Sequence, residues 1–156
     1  MTSHIRIRPS ALIIREEAIL LVEYRSDKRG LHYFLPGGGA EPGETLKQTI
    51  CREMIEETTA NIEVGDIAFL YECEPQDRQD DYSPPSHTVF IIFDCILCAD
   101  SSPKMPANPE LNQTDVKWIS LTDLHEIKLV PNIAPFILEY ANNNRNIQLI
   151  EDHIIH

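Results

Sequence analysis

Gly38-Gly39-Ala40-Glu41-Pro42-Gly43-Glu44, running on through Thr45-Leu46-Lys47-Gln48-Thr49-Ile50-Cys51-Arg52-Glu53-Met54-Ile55-Glu56-Glu57-Thr58-Thr59-Ala60, decides how this chain is read. A glycine-rich turn opens directly into a predicted helix that starts near Thr45, where Thr45-x-x-Gln48 fits a capping box, and continues to about Thr58. Successive helical residues turn by about 100°. Leu46, Ile50 and Met54 therefore make a core-facing stripe that Cys51 and Ile55 widen. Glu53, Glu56 and Glu57 stand at i, i+3 and i+4 on a neighbouring face, with Thr49 on the same face leaving room. At ~6 Å and an effective dielectric of 20, each carboxylate pair repels by up to about 3 kcal/mol. A buried cluster of this kind needs cations. A solvated one is balanced by Arg52, four residues before Glu56. Two neighbours favour the cation. Pro36-Gly37-Gly38-Gly39 puts bare backbone before the helix, where carbonyls can ligate a metal and amides can meet phosphate. Glu44 adds a fourth carboxylate, and an all-oxygen set suits magnesium.

Outward from this segment the apolar pattern predicts strands at 5–14 and 18–24, joined by a hairpin at Arg15-Glu16-Glu17, and a short strand at 32–35. Further strands are expected at 62–71, 87–97 and 115–119, and a second helix over 131–142 with Pro131 at its start. The order β-β-β-α-β-β-β-α describes a mixed α/β layered domain and not a βαβ array. The tail, 146–156, alternates weakly and is a candidate edge strand or dimer contact.

The chain has 156 residues, enough for one domain with a full core, and its 42% apolar content is ordinary for a globular protein. No apolar run approaches ~18 residues, so no membrane span is expected. No apolar stretch precedes a cleavage site at the N-terminus, so a cytoplasmic location is expected. Cys51, Cys73, Cys95 and Cys98 are scattered, and the C-x-x-C of Cys95 and Cys98 has no second ligand pair. Reduced cysteines are the expectation. A net charge of −12 repels nucleic-acid backbones. It also repels a small phosphorylated substrate unless a bound cation reverses the local field.

Gly38, five residues, Glu44, seven residues, then Arg52-Glu53-Met54-Ile55-Glu56-Glu57 resembles the Nudix box, G-x5-E-x7-R-E-U-x-E-E-x-G-U with U a bulky apolar residue. Leu35-Pro36 before the glycines and Trp118-Ile119-Ser120-Leu121-x-x-Leu124 near the C-terminus are similar to the flanks of that family. The resemblance implies a single domain over residues 1–156 with an α+β fold, a mixed β-sheet sandwiched between helices. It implies hydrolysis of a nucleoside diphosphate linked to another moiety, with water attacking phosphorus. By position, Glu53, Glu56 and Glu57 become metal ligands with the Gly37 carbonyl as a fourth, Arg52 orients Glu56, and Glu44 supports the ligands. The expected ion is Mg2+, with Mn2+ as the alternative. The general base is expected among Glu53 and Glu56 within the box, or Glu110 outside it.

The resemblance further implies a small phosphorylated nucleotide as partner, with Arg25, Tyr33, Phe34, Gly38 and Gly39 as candidate substrate contacts. Adjacent strand residues face opposite ways, so only one of Tyr33 and Phe34 can line the site. Pro75 stands where some ADP-ribose pyrophosphatases carry a proline, which tilts the expectation towards ADP-ribose or a nucleotide sugar. A nucleoside triphosphate is the alternative. Non-catalytic nucleotide-binding modules of this fold commonly lose box carboxylates, and none is missing here. One box position departs: the family's glycine is Thr59. A β-branched residue adopts a left-handed helix cap poorly, so the helix is expected to end a residue or two late, with Asn61 the better-suited residue. The N-terminal hairpin and the tail are candidate homodimer elements.

Overall fold

The computed structural model describes residues 4–74, 87–147, 149 and 151. The chain builds β1 (Arg6–Leu12), β2 (Ile14–Arg15), β3 (Ala18–Ser26), β4 (Gly30–Phe34), α1 (Leu46–Thr58), β5 (Ile62–Cys73), β6 (Thr88–Leu97), β7 (Gln113–Ser120), a 3-10 segment (Leu121–Glu126) and α2 (Ala134–Asn142). Two sheets form. In one, β6 is central, parallel to β1 and antiparallel to β5. In the other, β3 is central, with β4, β7 and the short β2 antiparallel to it.

The first apolar run, expected as one strand over 5–14, is divided at Ile13. Its long part joins β6 and only Ile14–Arg15 makes the hairpin with β3. Glu16 and Glu17 form the two-residue turn, both with positive φ (52° and 61°), the backbone twist that a tight hairpin requires.

Burial on both faces explains why these strands read as nearly unbroken apolar runs. Ala11, Ile13 and Leu20 face a core capped by Ile50 and Met54 of α1. Leu12, Ile19 and Leu21 face the opposite way, into a core closed by Leu124 of the 3-10 segment, Ile137 and Tyr140 of α2, and Ile133 just before it. The strands thus form a mixed layer between helices, the fold class expected from the sequence.

The predicted capping box is present: Thr45 Oγ1 accepts the Gln48 N–H at 3.1 Å, and Gln48 Oε1 accepts the Thr45 N–H at 2.9 Å. The helix packs Leu46, Ile50, Cys51 and Met54 into the core as expected. Its buried residues are Thr49, Ile50, Glu53, Met54, Glu57 and Thr58, whereas Ile55 is 52% exposed and does not widen the core stripe. The packed sector therefore takes in two of the three glutamates.

The helix end corrects the expectation for Thr59. It caps the helix in the left-handed region (φ 63°, ψ 0°), and its N–H reaches the Ile55 carbonyl at 3.0 Å. The reason is tertiary. The chain following β6 crosses this end and takes its carbonyls: Lys104 N–H donates to Thr58 O at 2.9 Å and Gln113 Nε2 to Glu57 O at 2.8 Å, while Ser101 Oγ accepts the Asn61 N–H at 2.9 Å. These bonds hold a backbone conformation that threonine alone disfavours.

The second helix starts at Ala134 and not at Pro131, with Pro135 in its first turn. Residues 128–130 instead run beside β4, where Tyr33 exchanges main-chain hydrogen bonds with Lys128 and Val130 at 2.8 Å each. This fits the extended backbone favoured before a proline. In the tail, Ile147 forms an antiparallel bridge with Ile67 on β5, which places it at a sheet edge. Most of the remaining tail lies outside the described residues. Cys51, Cys95 and Cys98 are free thiols. No helix among the described residues is long and apolar enough to cross a membrane.

Candidate active site

The glycine loop lies against β1. Ala11 N–H donates to Pro36 O at 2.8 Å, and Ala40 N–H donates to Ile7 O at 3.0 Å. Close approach explains two of the glycines. A Cβ on Gly37 would meet the Pro9 carbonyl at 2.4 Å, and a Cβ on Gly38 would sit 2.3 Å from Glu53 Oε1. Gly38 is thus the space that the Glu53 carboxylate occupies. Beside Gly39, an added Cβ would press on the Arg6 guanidinium at 3.0 Å. The Gly37 N–H donates to Glu57 Oε1 at 2.9 Å, while its carbonyl accepts from Arg8 Nη2 at 3.3 Å.

Carboxylate oxygens of Glu53, Glu57 and Glu110 lie within 4.8 Å of one another. The grouping expected on helical spacing, Glu53 with Glu56 and Glu57, is therefore rearranged. Residues i and i+4 lie about 40° apart round a helix and share the inward sector, whereas Glu56 stands about 100° from Glu57. Its side chain is half exposed, 3.3 Å from Arg52. The third member of the cluster comes from the turn before β7.

Arg52 is engaged on every nitrogen. Nε and Nη2 hold Glu44, Nη1 reaches Glu53 at 2.9 Å and, more loosely, Glu56, and Nη2 also meets Gly39 O at 3.4 Å. Its main partner is Glu44, not Glu56 as expected. The Arg52 hydrogen bonds hold the Glu44 carboxyl down at about 2, and the bond from Thr49 Oγ1, at 2.8 Å, acts in the same direction. Thr49, expected only to leave room, fixes this carboxylate.

Burial dominates the inner pair. It pushes Glu57 up to about 8, against the opposing effect of the Gly37 N–H. Glu53 is raised first by burial and then by the Glu56 charge. Two desolvated carboxylates and a third within 4.8 Å favour protons or a hard cation in their midst.

Three residues that the sequence reading did not single out complete the surroundings. Tyr24 Oη stands 2.9 Å from Glu57 Oε2 and 3.1 Å from Glu110 Oε2, so one phenolic hydrogen faces two carboxyl groups. Strand alternation places Tyr24 on the face of Leu20 and Val22, the signal that could have identified it. Gln113 joins α1 to the Glu110 turn. Arg8 lies over Phe34, 5.1 Å from the ring centroid, and its buried Nε has no hydrogen-bond partner among the described residues.

Of the candidate substrate contacts, Tyr33 is buried with its hydroxyl on Glu23 Oε2 at 2.7 Å, in the core on the α2 side, which removes it from the site. Phe34 faces the other way, packed edge-on to Tyr24 with centroids 5.5 Å apart. Arg25 is exposed near the end of β3, its N–H bonded to Asn112 O at 2.9 Å. Pro75 lies outside the described residues. A cavity of about 630 Å³ lined by Ile14, Asp94, His125 and Tyr140 touches none of the clustered carboxylates.

A family model described as NUDIX domain matches residues 5–140. The nucleoside triphosphatase NudI of Enterobacter sp. (strain 638) is 28% identical over 124 residues, covering 76% of this chain and 84% of that protein. Among solved structures, a NUDIX hydrolase from Nitrosomonas europaea superposes with a TM-score of 0.74 at 18% identity, over 94% of this chain and 98% of the other. An ADP-ribose pyrophosphatase from Streptococcus suis superposes with a TM-score of 0.64 at 22% identity, over 91% and 96%. At these identities the structural likenesses show the fold.

Proposed function

The chain belongs to the NUDIX family, whose members are pyrophosphohydrolases, and we propose that it hydrolyses a phosphoric anhydride bond of a nucleoside triphosphate with the help of Mg2+. The observation that carries the reading is the convergence of Glu53, Glu57 and Glu110 beside a glycine loop that donates to one carboxylate and makes room for another. The donor set fits a hard divalent ion. All candidate ligands are oxygens, two are buried, and burial pushes both of these carboxyls upward, so a cation there replaces protons. Glu53 and Glu57 would hold it, with Glu110, the Gly37 carbonyl and, from the rim, Glu56 available as further ligands. Mn2+ has the same donor preference. When bound, the ion neutralises the pyrophosphate and acidifies the attacking water.

The chain's own groups do the rest. Glu57 is committed to the Gly37 N–H and Tyr24, and Glu53 to Arg52. Glu110 is exposed and meets only Tyr24 through its carboxylate among the described contacts, which suits it to take the proton from water. Glu44 holds Arg52, which in turn holds the Glu53 carboxylate. Phe34, packed against Tyr24, and Arg25, whose N–H meets Asn112 O, are the candidate nucleotide contacts.

Support for a triphosphate comes from NudI, a sequence relative over most of the chain. A nucleoside diphosphate linked to another moiety is the second reading, supported by the likeness to the ADP-ribose pyrophosphatase, which is a likeness of fold. The test is chromatographic detection of the nucleoside mono- and diphosphates formed from nucleoside triphosphates, ADP-ribose and nucleotide sugars with Mg2+, with Mn2+ and with chelator. Triphosphate turnover that chelator abolishes is expected. Turnover of ADP-ribose alone would select the second reading, and tight nucleotide binding without turnover would overturn both.

A further inference from the structure

Glu110 sits on an exposed turn, yet its carboxylate lies within 4.8 Å of two buried ones from α1, and the Gln113 side chain ties the main chains of the two elements together. We infer that Gln113 is the positioning residue that sets Glu110 against Glu53 and Glu57, an inference that rests on the reading of Glu110 as proton acceptor.

Besides Gln113, the turn is held to β3 by the Arg25 N–H on Asn112 O at 2.9 Å and by Tyr24 on the Glu110 carboxylate. Leu111 at its tip is 87% exposed, and Glu110 is itself exposed. Asn112 takes the left-handed conformation (φ 70°), which asparagine tolerates, and the Gln113 N–H closes the turn on Glu110 O at 3.0 Å. Gln113 then begins β7 opposite Tyr24, with its side chain 7% exposed. Its Oε1 accepts the Glu110 N–H at 3.2 Å, and its Nε2 donates to Glu57 O at 2.8 Å. That carbonyl is among the last four of α1, which have no partner inside the helix.

One planar amide therefore joins the main chain of a candidate metal ligand to the main chain of the candidate base. Tyr24 joins the same two residues at their carboxyl ends. Gln113 sets the backbone and Tyr24 sets the tip. The task needs a donor and an acceptor on one rigid group. Methionine fills a similar volume with neither, and an ionised glutamate keeps an acceptor for Glu110 but repels Glu57 O.

A helix-capping role alone would predict lost stability and unchanged chemistry, and a double-mutant cycle separates the two. Gln113→Met, Glu110→Gln and the double variant are assayed with the nucleoside triphosphate turned over fastest, reading kcat, KM and Tm. Gln113→Met is expected to lower kcat roughly 10- to 100-fold, the scale of a misplaced reacting group, with KM nearly unchanged. That loss should vanish in the Glu110→Gln background, because the residue acts through Glu110. Should Gln113→Met fail to fold, Gln113→Glu, which retains the Glu110 contact and loses the Glu57 anchor, is scored identically. Unchanged kcat in the folded variant, or an equal further loss on top of Glu110→Gln, overturns the inference while leaving the base assignment standing. Wild-type turnover by Glu110→Gln removes the base assignment, and with it anything for Gln113 to position.

Discussion

Replacing Gly38 by alanine should abolish most of the activity while hardly touching the fold. The new Cβ would stand 2.3 Å from Glu53 Oε1 and 2.4 Å from Cδ. Restoring ordinary contact requires the carboxyl group to retreat by about 1 Å, which is enough to cost a reaction on the order of 100-fold. At about 1.4 kcal/mol per factor of ten, that is near 3 kcal/mol of transition-state stabilisation. The stability terms are smaller and opposed. Gly38 does not have a positive φ, so alanine gains roughly 0.4–1 kcal/mol from the unfolded chain, while a weakened Arg52–Glu53 contact, partly exposed, loses at most about 1 kcal/mol. Gly37→Ala is the contrast, because its Cβ would strike the Pro9 carbonyl, and backbone must move where a side chain could swing aside. It should lose roughly 1–3 kcal/mol of stability. Steady-state nucleotide hydrolysis with Mg2+, followed by product chromatography, alongside thermal melts of both variants, checks the pair. Wild-type turnover by Gly38→Ala would refute the claim that this glycine makes room for a working Glu53.

Two further predictions concern stability. Thr59→Gly should stabilise the protein by about 1 kcal/mol, because a β-branched residue now occupies a left-handed cap, and the melt should rise by roughly 2–4 °C; an unchanged or lower Tm would show that the surrounding bonds remove the strain. The metal-free protein should lose stability as pH rises from about 4.5, the ordinary value for Glu57, through its folded value of about 8, since the folded state binds the extra proton in that window. The slope reaches at most about 1.4 kcal/mol per pH unit from this group. Glu57→Gln should flatten it, and the Tm gain from Mg2+ should grow over the same range. Melts against pH in chelator and in Mg2+ test this, and identical pH profiles for wild type and Glu57→Gln would count against it.

Features that rest on local interactions were legible without coordinates. The capping box depends on residues three apart, and the hairpin at Glu16-Glu17 on a two-residue turn. The outlook of Phe34 against Tyr33 follows from strand alternation. The spacing of Gly38, Glu44, Arg52, Glu53, Glu56 and Glu57 likewise pointed to a helix with a carboxylate face beside a glycine loop. Local preference misled where tertiary bonds outweighed it: Thr59 was expected outside the left-handed region, and three bonds from the chain after β6 put it there.

The sequence by itself thus determined the helix, its cap and the acidic character of one face, because helical period and side-chain chemistry are properties of neighbours in the chain. Which carboxylates actually converge was decided only in three dimensions. The rotation of α1 against β1 and β5 turned Glu57 inward and Glu56 outward, and the crossing of β7 beside β3 brought Glu110, Tyr24 and Gln113 to the helix end. Those contacts join residues 33 to 86 positions apart. They follow from how two apolar cores close on opposite sides of the sheets, and no periodicity within one segment encodes that.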